Sequence, residues 1–80
     1  MSERLKFLGR RQELELEKKK LEIHIQGLIN NLRDAMDPLL PVSELKTESI
    51  AEWAIGLAEA KDRYMGILDG LKQIREILGK

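Results

Sequence analysis

The chain has 80 residues, a mass of 9.2 kDa, 14 basic and 14 acidic side chains, no cysteine and three aromatics: Phe7, Trp53 and Tyr64. It is one domain at most, with nothing from which to build a disulfide framework or a cysteine-ligated metal or iron–sulfur centre. At 35% charged residues and net charge zero it is neither a polybasic nor an acidic tail.

The start, Met1-Ser2-Glu3-Arg4-Leu5-Lys6, soon becomes Gln- and Glu-rich. No apolar run of about 7–15 residues follows, as a secretory signal requires. No stretch reaches the roughly 20 apolar residues of a membrane span. The expectation is a cytoplasmic protein with no membrane partner.

The first predicted element is a helix over about residues 3–36, rich in Leu, Glu, Lys and Arg. Phe7, Leu14, Leu21, Leu28 and Ala35 recur every seven residues, and Ile25 and Leu32 fill the interleaved places. Further toward the N-terminus those places hold Lys18, Arg11 and Arg4, so the apolar seam is expected to weaken there. A break follows over about 37–48, where Pro38 and Pro41 exclude a continuous helix. This connection is unusually apolar, with Leu39, Leu40, Val42 and Leu45. The plain reading is a cap over Trp53. The sharper one is a partner-binding tip, since loops on rigid scaffolds often carry function.

The second helix is expected over about 49–79. Ser49-Ile50-Ala51-Glu52 has the capping-box pattern, with Thr47 as an alternative cap, and Gly79 follows the last apolar residue. Ile50, Leu57, Tyr64, Leu71 and Leu78 interleave with Trp53, Ala60, Ile67 and Ile74, an unbroken heptad seam. The two seams fit antiparallel, in layers whose residue numbers total 85. Ala35 meets Ile50, Leu32 meets Trp53, Leu28 meets Leu57, Ile25 meets Ala60, Leu21 meets Tyr64, Leu14 meets Leu71 and Phe7 meets Leu78. Lys18 then faces Ile67 and Arg11 faces Ile74, their aliphatic stems covering the isoleucines. The expected fold is all-α, an antiparallel two-helix coiled-coil hairpin.

One apolar stripe per helix is thin support for so many ordered residues. A second stripe lies to one side: Ala51, Ala54, Ala58, Met65 and Leu68 on the second helix, broken by Lys61, with Leu5, Leu8, Ile29 and Met36 on the first. Self-association through this face, as a homodimer forming a four-helix bundle, is expected. Leu16, Ile23 and Ile55 lie on the outer face and could contact another protein.

Signs of chemistry are scarce. His24, the one histidine, has Lys20, Leu21, Gly27 and Leu28 at helical offsets, so no ligand pair forms. Carboxylates such as Glu59 sit beside bases such as Arg63, a solvated pairing rather than an acid–base dyad. Gly66-x-x-x-Gly70 reads as close packing or a weak point. No catalytic residue, cofactor or metal is expected, and the chain is read as a non-enzyme.

Charge is polarised along the hairpin. Residues 3–20 with 66–80, the open end, carry ten bases and six acids, net +4, and residues 21–65 carry four and eight, net −4. The alternative function is therefore a nucleic-acid-binding dimer, of the kind the plasmid-copy-control Rop fold provides, acting through Arg10, Arg11, Lys18, Lys19 and Lys20. Interspersed Glu13, Glu15 and Glu17 dilute that patch, and all three aromatics are on the seam, away from any base.

The stretch Leu32-Arg33-Asp34-Ala35-Met36-Asp37-Pro38-Leu39-Leu40-Pro41-Val42-Ser43-Glu44-Leu45, with the ending Ile74-Arg75-Glu76-Ile77-Leu78-Gly79, resembles small uncharacterised helical proteins of Mu-like prophages. The resemblance covers the second half of the chain. It implies a cytoplasmic phage accessory protein and carries over no functional residue.

Overall fold

A computed structural model describes residues 3–79. Helix α1 runs Glu3–Ala35 and α2 runs Thr47–Leu78, with a single 3-10 turn at Val42–Glu44 between them. The two helices pack antiparallel as a hairpin. Helix α1 alone, at 33 residues, spans about 50 Å at 1.5 Å per residue. The molecule is accordingly a rod, 62 × 17 × 14 Å. Each helix has an acid in its first turn (Glu3, Glu48) and an arginine in its last (Arg33, Arg75), matching the helix dipole.

Three contacts define how the helices align. A Cβ on Gly70 would lie 3.2 Å from Leu14 Cδ1, a Cβ on Gly56 would lie 3.7 Å from Leu28 Cδ1, and the Tyr64 hydroxyl donates to Glu22 at 2.5 Å. Each pair totals within one of 85, the alignment in which Leu14 meets Leu71 and Leu21 meets Tyr64. All the apolar seam residues of both helices are buried or half-buried.

The fully buried residues are Leu14, Leu21, Ala60, Ile67 and Ile74, with Phe7, Ile25, Tyr64, Leu71 and Leu78 packed around them. This corrects the expectation that the seam weakens toward the N-terminus. The core is deepest beside Arg11 and Lys18, which are themselves half-buried. Long charged side chains flank the seam there: Glu17, Lys20 and Arg63 on one side, Arg11, Glu15 and Lys18 on the other. Their methylene stems shield the apolar residues while the charges stay in water. Toward the loop the flanking residues are Ala54, Ala58 and Gly56, too small to shield anything. Leu28, Leu32, Trp53 and Leu57 remain half-exposed as a result.

The break works through its prolines. The Leu40 N–H donates to the Asp37 carbonyl at 3.1 Å, closing a turn around Pro38 and Leu39. The Asp37 carboxylate accepts the Leu39 N–H at 2.9 Å, the side-chain mimicry of a turn for which aspartate is favoured. Pro41, at φ −59°, then leads into the 3-10 turn.

Two helix ends differ from expectation. Ser49 and Thr47 do not cap α2. The helix starts earlier, at Thr47, with Lys46 in the capping position and no side-chain capping bond. Leu45, just before it, is extended and half-buried. At the other end Gly79 closes the helix in a right-handed conformation, φ −78°, its N–H donating to Arg75 O at 2.7 Å. A side chain there would press a Cβ to 2.8 Å from that carbonyl, so the glycine permits the tightened last turn without a left-handed residue.

The glycines provide a stability test. A Cβ at Gly9, Gly27 or Gly66 meets nothing within 4 Å. Alanine at each is expected to stabilise the hairpin by about 0.5–1 kcal/mol, by reducing unfolded-chain freedom. Gly70→Ala should lose that gain, because its Cβ would crowd Leu14. Thermal unfolding of the four single variants checks both halves of the statement. Equal shifts at positions 27 and 70 would contradict it.

Candidate functional site

The rod has three surfaces with distinct chemistry. The first is the loop tip. A hollow of about 570 Å³ is lined by Asn31, Asp34, Ala35, Leu40, Glu44, Lys46 and Trp53. The four apolar loop residues divide between the two roles set out for them. Leu40 and Leu45 are half-buried, and Leu40 shares the hollow with Trp53. Leu39 and Val42 point outward, 89% and 83% exposed. The turn at Asp37 forces this split, since Pro38 and Leu39 form its outer corner.

The second surface is the side stripe. Leu8 and Leu68 are half-buried; Ile29, Met36 and Met65 are 40%, 59% and 48% exposed, with Ala51, Ala54 and Ala58 exposed between them. Leu5 extends the stripe toward the open end. Exposed apolar residues also occur elsewhere: Leu16, Ile23 and Ile55 on the outer face, and Ile77 on the opposite flank. Ile23, at 75%, is more exposed than any residue of the stripe's large apolar set. Its place on the outer face was legible, but its degree of exposure was not.

The third surface is the basic open end, which the structure divides. Arg10 is turned to Glu13, an ion pair at 3.4 Å between i and i+3. Lys20 lies on one flank with Glu17, His24 and Arg63. Arg11 and Lys18 lie on the other with Glu15, Leu68, Leu71, Lys72 and Arg75, around a groove of about 290 Å³. Lys19 is exposed. The five residues of the predicted patch therefore do not form one surface. Lys72 and Arg75, which sequence reasoning counted only toward net charge, complete the basic groove. Their spacing from Leu71 and Ile74 on α2 was the available signal. Lys80, counted in the same net charge, lies outside the described residues.

Polar contacts across the helices are few. Tyr64 donates to the Glu22 carboxylate, and this hydrogen bond, with lesser contributions from desolvation and the Glu22 charge, raises the phenol pKa above its ordinary 10.0. A raised value in the folded state means the contribution to stability is complete below pH 10 and is lost as pH rises through the folded-state pKa. The single tyrosine makes this directly measurable. Tyrosinate absorbance should titrate above 10.0 in the native protein and return toward it in Glu22→Gln. A native midpoint at or below that of the variant would contradict the contact. Among the described residues no ion pair joins Glu59 to Arg63, no group of three or more His, Cys, Asp or Glu side chains is placed to hold a metal ion, and no helix is long and apolar enough to cross a membrane.

Fold and surfaces together define the class: an all-helical antiparallel hairpin whose chemistry lies on open faces and at its tip. In comparisons with protein-family models, curated proteins and solved structures, the chain matches none.

Proposed function

We propose that this protein is a non-enzymatic structural and protein-interaction module that self-associates side by side, two hairpins forming a four-helix bundle. The observation that carries this reading is the surface left uncovered. The hairpin exposes 6581 Å², against about 4,900 Å² for a compact monomer of this mass. The excess is about twice the ~800 Å² that each partner buries in a standard protein–protein interface. The loop-half seam beside Ala54 and Ala58 is half-exposed, and Ile29, Met36 and Met65 adjoin it, 40%, 59% and 48% exposed. Small residues let a second hairpin approach closely, and the larger ones give it apolar area to bury.

In this reading Leu39 and Val42 at the tip are contacts for a further protein, held out by a rigid turn. With the prophage resemblance, the setting is that of a cytoplasmic phage accessory protein. Light scattering behind a sizing column tests the reading. A species of twice 9.2 kDa is expected at high micromolar concentration. A 9.2 kDa monomer at every concentration overturns it.

A further inference from the structure

The groove at the open end has an unusual construction. Arg11 and Lys18 come from α1, seven residues apart, hence about 10.5 Å along the helix. Lys72 and Arg75 come from α2, on the opposite wall. Four cations line one groove against a single carboxylate, Glu15. Among the described residues none of the four forms an ion pair. By contrast Arg10, which does not line the groove, pairs with Glu13.

The positions matter as much as the charges. Arg11 and Lys18 occupy seam places that an apolar residue would fill, and both are half-buried. Their stems are held between two rigid helices, which restricts the rotamers available to their heads. Converging like charges in the seam of a thin core oppose folding, so the arrangement has a cost that a leucine would not carry. Unpaired, partly immobilised cations also lose less side-chain entropy on meeting an anion. Arginines on both walls offer planar forks suited to phosphate oxygens, and the lysines add point charges. The aromatics are elsewhere: Phe7 and Tyr64 pack in the core and Trp53 lines the distant tip hollow. No aromatic ring lines the groove on which successive bases could stack.

We propose that the groove formed by Arg11, Lys18, Lys72 and Arg75 binds the backbone phosphates of nucleic acid without regard to sequence. The groove is complete within one hairpin, so it does not rest on self-association; it shares Leu68 with the side stripe, so a second hairpin seated over that end would compete with nucleic acid. Four phosphate contacts predict a log–log salt slope of about −3 to −4 per hairpin. Acidic peptide is the competing occupant, and phosphate geometry is what separates the two.

The test is fluorescence anisotropy of the full chain with labelled duplex DNA and single-stranded RNA of mixed sequence, across a salt series. Poly-glutamate serves as the competitor and thermal unfolding is measured in parallel. Arg11→Leu with Lys18→Leu should weaken binding at least about tenfold and roughly halve the salt slope, while raising the melting temperature. Lys19→Gln with Lys20→Gln removes the same charge outside the groove and should weaken binding less than about threefold. The proposal is overturned if the native chain binds neither nucleic acid at low salt. It is equally overturned if the two double variants lose binding alike, or if poly-glutamate competes as well as unlabelled nucleic acid. Because the leucine variant is expected to be more stable, loss of binding cannot be ascribed to unfolding; a lower melting temperature would itself contradict the account of the seam.

Discussion

Leu14→Ala is expected to remove about 2–5 kcal/mol of stability, which in a hairpin of this size leaves little or no folded protein. Leu14 is 5% exposed, the most buried large side chain among the described residues, and packs with Leu21, Ile67 and Ile74. On its open side stands Gly70, whose missing side chain makes room for it. Truncation there leaves a cavity that neither the glycine nor the rigid helices can close. A small domain rarely has more than about 3–5 kcal/mol from its core, so one such loss is comparable to the whole. Urea unfolding followed by circular dichroism measures it. Leu39→Ala, at a site 89% exposed, is the matched control and should change stability by less than about 0.5 kcal/mol. Similar losses at the two positions would mean that the tip, not the Leu14 cluster, holds the hairpin together.

The second large effect concerns self-association. Ala54→Glu with Ala58→Glu is expected to convert the proposed dimer to a monomer, weakening association by about 3 kcal/mol or more, over a hundredfold. A two-fold interface repeats every substitution on both sides, so two changes bring four carboxylates together in a face that excludes water. Glutamate is a good helix former, and both alanines are exposed in the hairpin, so the hairpin itself tolerates the change. Mass by light scattering is the measurement. Leu16→Glu with Ile23→Glu, on the outer face, should leave the mass unaltered. If the outer-face pair dissociates the dimer and the alanine pair does not, the interface is on the other side of the rod. If the proposed dimer covers the loop-half seam, the melting temperature of the native protein rises with concentration.

These two effects lie on the two parts of the fold that differed most in how far the sequence revealed them. The seam was readable because a heptad is a local signal: Ile50 through Leu78 repeats without a fault, and two prolines mark where the chain must turn. The antiparallel alignment followed, since one connection length brings Leu14 to Leu71 and Leu21 to Tyr64. Depth of burial was not readable. The cations at Arg11 and Lys18 suggested a weak end, yet their stems and the flanking charged residues cover Ile67 and Ile74 more completely than alanines cover the other end. Helix α2 also starts at Thr47, ahead of the capping pattern at Ser49, and no side chain caps it.

The candidate surfaces divide in the same way. Which apolar residues lie off the seam is a matter of periodicity, so the stripe from Ile29 to Met65 could be drawn before any coordinates. Which loop leucine turns inward depends on the Asp37 turn and its two hydrogen bonds. The basic groove depends on both helices at once. Arg11 and Lys18 are far in sequence from Lys72 and Arg75, and only the pairing of α1 with α2 puts them on facing walls.

The helical class, the break at Pro38 and Pro41, the seam and the charge polarity are all legible along the chain. Each of these is encoded in spacing or composition along one segment. Tertiary structure decided how deeply each layer is buried, which tip residues face outward and which of fourteen bases converge. Those outcomes depend on side chains from two segments sharing one space, where reach and volume count for more than position in the repeat.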